Sequence, residues 1–201
     1  MKTIAAMTLG AALLVSVPAL AQPAAGPQII RGVITDVAAD SVHVKTKDGK
    51  LVWVGLTKDW SASVTKPISA KEIQTGSFIG TAEMPQADGS GRSLEVHVFP
   101  PGVKMGEGHY GWDLKKGSMM TNGTVGKVVA SKNGRELDVT YSTGTRHIVV
   151  PPKVPIVQIT PGERSLIQTG VKVFLVAAPT PNGGLATNGL AVGEKGKAPP
   201  M

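Results

Sequence analysis

The chain has no cysteine, which excludes a disulfide scaffold, a zinc ribbon, an iron–sulfur centre and any thiol nucleophile. Aromatic residues make up only 4% of its 201 positions, so any core must be filled by Val, Ile and Leu. Beyond residue 21 no apolar run approaches the roughly 20 residues of a membrane span, and long amphipathic helical patterns are missing. His-Glu-x-x-His, Gly-x-Ser-x-Gly and phosphate-loop patterns are also absent. Gly106-x-Gly108-x-x-Gly111 has the dinucleotide spacing, but no strand leads directly into it and no hydrophobic helix follows. The expectation is a protein without enzymatic activity.

Residues 1–21 have the three parts of a secretory signal: Lys2, an apolar run from Ile4 to Val17, and Ala19-Leu20-Ala21 before Gln22. The reading is cleavage near Ala21 and a periplasmic or secreted product. The formal charge is +7, which equally suits anionic envelope polymers, lipid headgroups or solubility alone. Basic residues are spread singly, apart from Lys115-Lys116. Nucleic-acid binding, which needs a clustered basic stripe with stacking aromatics, is not expected.

A repeat organises the remainder. Ile73-Gln74-Thr75-Gly76 recurs as Ile167-Gln168-Thr169-Gly170, and Arg31–Val37 corresponds to Asn122–Val128. The hairpin at Asp48-Gly49 matches Thr143-Gly144. Landmarks in one order at nearly constant spacing indicate a tandem duplication.

Each copy reads as β. Val42 and Val44 alternate with His43 and Lys45, Leu94, Val96 and Val98 with Glu95 and His97, and Leu137, Val139 and Tyr141 with Asp138 and Thr140. This is the period of two that puts apolar side chains on one sheet face. Ser69-Ala70-Lys71-Glu72 and Thr160-Pro161-Gly162-Glu163 have the composition of helix-capping boxes, and Gly76 and Gly170 suit a left-handed cap. The order strand, strand, strand, short helix, strand, strand is that of a five-stranded OB-like barrel. The expected fold is mainly β: signal peptide 1–21, linker 22–28, barrel 29–99, connector 100–121, barrel 122–192 and a flexible tail 193–201.

With its short turn and the Ile-x-x-Gly that leads into the fourth strand, at Ile73–Gly76 and Ile167–Gly170, the unit resembles a family of exported bacterial domains of unknown function, small OB-like barrels often found in tandem. The resemblance implies the fold and carries no activity.

Two sets of residues invite a function. The connector is too long for a simple link and too aromatic for a flexible one. It holds Met105, Glu107, His109, Met119 and Met120 beside His97 on the preceding strand. Imidazole and thioether together suit copper, though His-x-His and Met-x-x-Met spacings are missing, and Met and Trp also serve to fill uneven packing. The second set is the face of strands two and three, the usual ligand face of such barrels, which in the first copy includes Lys45, Lys47, Lys50 and Trp53. The leading expectation is an envelope binding or adaptor module for an anionic polymer or an envelope protein, needing no cofactor. A copper-type metal protein and an enzyme with an unrecognised site are the alternatives.

Overall fold

Alternating Val and Ile favour extended backbone because branched side chains pack well on a pleated surface. A computed structural model describes residues 26–132 and 134–201 and is mainly β. The strands are β1 (Gln28–Val37), β2 (Ser41–Thr46), β3 (Leu51–Pro67), β4 (Phe78–Pro85), β5 (Gly91–Val98), β6 (Gly108–Gly111), β7 (Met119–Ser131), β8 (Gly134–Tyr141), β9 (Gly144–Val150), β10 (Ile156–Gly162), β11 (Lys172–Pro179) and β12 (Leu185–Gly193). The expected leader lies outside the described residues.

The first closed barrel is a ring of five strands in the order β1-β2-β3-β12-β11, with β12 parallel to β3 and every other neighbour antiparallel. A second ring runs β7-β8-β9-β5-β4 and is closed by two parallel pairs between β5 and β9. Ile34, Val44, Val54, Leu175 and Leu190 fill the first interior. Ile79, Val96, Val125, Leu137 and Ile148 fill the second.

This pairing corrects the expectation that 29–99 and 122–192 each close on themselves. Strands one to three of each copy close with strands four and five of the other. The physical reason lies in β3, which has neither Gly nor Pro between Leu56 and Lys66 to reverse it. It therefore runs on for 17 residues, its far half still paired with β12 along Gly189–Gly193, and delivers the chain to the second ring. Its far half pairs antiparallel with β10, and Thr65 faces Ile159. Those two residues stand 94 positions apart, the spacing that separates Ile73 from Ile167.

The repeated motif sits where the exchange occurs. Gly76 donates its N–H to Val125 O and Gly170 donates to Ile34 O, each at 2.7 Å, and each bond links one copy to the other. Both glycines have positive φ, 86° and 89°, a conformation in which a Cβ would be strained. The expected short helices are single 3-10 turns, Ala70–Glu72 and Arg164–Leu166. The Ser69–Glu72 capping box is present. The Thr160 box is not: Thr160 lies in β10, and Glu163 precedes the second turn without a side-chain cap. At the hairpin landmark of the second copy, Ser142 and Thr143 form the turn and Gly144 begins β9. The tail is not free. Glu194–Gly196 form a 3-10 turn, and Met201 is buried with its carbonyl accepting from Arg31 Nε.

Candidate functional site

The outer face of the first barrel carries the sequence-predicted ligand residues. Lys172, Val33, Lys45 and Leu51 form one row across four strands, and Asp36, His43 and Trp53 form the next. Trp53 is 55% and Leu51 70% exposed. Lys45 is exposed. Lys47 and Lys50 lie at the adjoining hairpin, where Asp48 pairs with Lys50 at 3.2 Å. Hydrogen bonds from Thr46 and Lys50 hold the Asp48 carboxyl below its usual range. A flat indole beside an ammonium group can stack on a sugar or ring and bind its negative charge. The corresponding face of the second ring mixes charges: Lys127 lines a cavity of about 160 Å³ with Glu136 and Asp138, both of which approach His147.

The connector is ordered on the second ring, and the six metal candidates do not converge there. β6 pairs with β7 and is pinned on both faces. Outward, Asn122 Nδ2 donates to Gly106 O at 2.8 Å and to Tyr110 Oη at 2.9 Å. Inward, His109 Nδ1 and Thr121 Oγ1 are 2.8 Å apart. His97 lies on the outer face, its Nδ1 3.0 Å from the buried Glu95 carboxylate. Its Nε2 and Asn122 Oδ1 converge over Gly80. His109 is therefore on the opposite side of β4 and β7 from His97. Met105 is exposed, Met120 is buried and Met119 pairs with Glu83 and Gly111. Among the described residues no group of three His, Cys, Asp or Glu side chains is placed to hold a metal. The connector is also held to the first barrel. Arg31 pairs with Asp113 at 2.8 Å and lies over the rings of Trp112 and Phe174.

A further site was missed from sequence: a polar cluster buried in one end of the second ring. Glu83, fully buried, accepts from Arg146 Nε at 2.8 Å, and the other guanidinium nitrogens donate to Gly89 O at 2.7 Å and Ser90 O at 3.1 Å. Among the described residues Glu83 Oε2 has no hydrogen-bond partner, and it rests over Gly91, where a Cβ would stand 1.9 Å away. Burial raises the Glu83 carboxyl above its ordinary range, and Arg146 opposes that shift. His109 lies 3.9 Å from Glu83 and stacks on Tyr141; burial and the Arg146 charge lower its pKa.

The first barrel supplies an internal control. Its pairs Ile30–Leu175, Gln28–Ala177 and Val44–Val52 stand where the second ring has Thr121–Thr81, Met119–Glu83 and Val139–Arg146. Leu175 and Ala177 are core residues there. The signal was present in the repeat, since Ile79-Gly80-Thr81-Ala82-Glu83 aligns with Val173-Phe174-Leu175-Val176-Ala177. Reading it requires knowing which side chains point inward.

The chain matches no protein-family model, no curated protein and no solved structure. Among the described residues no helix is long and apolar enough to cross a membrane.

Proposed function

We propose that the protein is a non-enzymatic binding module of the cell envelope, built from two OB-like units, that captures an anionic carbohydrate polymer on the outer face of β1, β2 and β3. The observation that supports this most is the exposure of Trp53 and Leu51 beside Lys45. Large apolar side chains left in water next to cations are not required by the core, and such patches mark interaction surfaces. The pairing order of both rings agrees with OB-like units, whose strands two and three form the customary ligand face. The repeat and the resemblance to exported tandem domains are in keeping with an envelope location. The equivalent face on the second ring has His147 in the place of Trp53 and Thr140 in the place of Lys45, so it lacks the indole and the ammonium group.

Titration with a polyuronate tests the reading. Binding is expected to weaken as salt rises, because exposed charges are screened over about 8–10 Å near physiological ionic strength. It is also expected to fall in Lys45→Ala and Trp53→Ala. No salt-sensitive binding to any of a panel of acidic polysaccharides would overturn it.

A further inference from the structure

We infer that the buried Glu83–Arg146 pair is a recognition element by which each half of the chain accepts the strands of the other half and rejects its own. Glu83 is on β4, in the first copy, and Arg146 is on β9, in the second, so the pair spans the exchange. If the first copy closed on itself, Glu83 would take the place of Ala177, opposite Gln28 and with Val52 standing where Arg146 now does, so that it would have no cation. If the second did so, Arg146 would face Leu175 and Ala177 with no anion. Each self-closed barrel would therefore bury one unpaired charge, a far larger penalty than a well-bonded pair. Specificity of this kind comes from making the wrong partner costly.

The outer face repeats the logic with shape. Arg31 lies over Phe174, 5.4 Å from its ring, whereas Asn122 in the equivalent place leans over Gly80 toward His97. Self-closure would set Asn122 beside the bulky Phe174 and leave Arg31 over a glycine, without the Phe174 ring. The hydrogen bonds of Gly76 and Gly170 could form in either arrangement, because Ile34 and Val125 are equivalent. These backbone bonds therefore do not choose between the arrangements; the straight β3 directs the chain toward the exchanged one, and the inward side chains Glu83 and Arg146 reinforce it.

The absence of native cysteine permits a direct test in the full chain. Val33 pairs with Lys172 in the exchanged fold, and Thr124, the counterpart of Val33, pairs with Phe78. In an otherwise wild-type chain, Val33→Cys with Lys172→Cys should cross-link within the monomer after refolding, and Thr124→Cys with Lys172→Cys should not. Adding Glu83→Leu and Arg146→Met, which removes both charges at similar volume, is expected to raise the Thr124–Lys172 cross-link by about tenfold or more. Glu83→Gln, which keeps the shape, should raise it less and serves if the double replacement fails to fold. An unchanged Thr124–Lys172 yield in both backgrounds would overturn the inference. A high yield without them would overturn the exchange itself.

Discussion

Arg146→Met removes the cation that contacts a fully buried carboxylate. Three hydrogen bonds leave with the guanidinium, those to Glu83, Gly89 O and Ser90 O. Breaking one side of a buried pair costs about 3–5 kcal/mol. Arg146 retains 17% side-chain exposure, so water can partly reach the site, and the lower end of that range, about 3 kcal/mol, is the expected loss. Coupling Arg146→Met to Glu83→Leu should recover most of it, since apolar residues of similar volume often replace such a pair at little cost. The sign of the pH dependence gives an independent check. A carboxyl raised in the folded state favours folding below its ordinary range, and that contribution is lost as pH rises through the raised value. Without Arg146 opposing burial, Glu83 moves further up, so the deficit of Arg146→Met should shrink in acid. Urea unfolding followed by tryptophan fluorescence at neutral and mildly acidic pH measures both effects. A loss below about 1 kcal/mol, or a double variant no more stable than the single one, would refute the reasoning.

Other outcomes follow from the same geometry. Trp53→Ala should weaken polyuronate binding by about tenfold or more while shifting folding stability by less than about 0.5 kcal/mol, as titration and urea unfolding would show, because the indole is largely in water. A protease site inserted after Gly102 and then cleaved should leave both fragments in one particle on size-exclusion chromatography, since each ring contains strands from both. Separation of the fragments would contradict the pairing. Gly91→Ala should cost about 1–3 kcal/mol in the same unfolding assay, because its Cβ would press on the Glu83 carboxylate. His109 is held below 6.5 by burial and Arg146; its neutral form is the one the fold prefers, so its contribution is lost as pH falls from about 6.5, and His109→Gln should flatten that part of the profile.

Much of the local structure was legible because it rests on nearest-neighbour chemistry. Alternation at Val42–Lys45 and Leu94–Val98 marked β2 and β5, Asp48-Gly49 marked a hairpin, and Ile-Gln-Thr-Gly marked where each copy turns into its fourth strand. Lys45 and Trp53 share a face for the same reason, since a hairpin register fixes which side chains point outward; Leu51 joins them only in the structure. The aromatics of the connector marked it as more than a flexible link, but its metal reading depended on which candidates share a side of the sheet, and that was not legible. His97 and His109 lie on opposite sides of the sheet, a fact set by the registers of β4, β5, β6 and β7 with one another.

Composition and period made a cysteine-free, mainly β protein with aliphatic interiors legible, because both act through local backbone preference and burial. The tertiary structure alone decided that the copies exchange strands, since a straight β3 and a turned one differ only in what they meet at their far end. It also decided that Glu83 and Arg146, 63 positions apart, share one interior. Electrostatics between such distant residues depends on which strands become neighbours, and that choice is made by the whole chain.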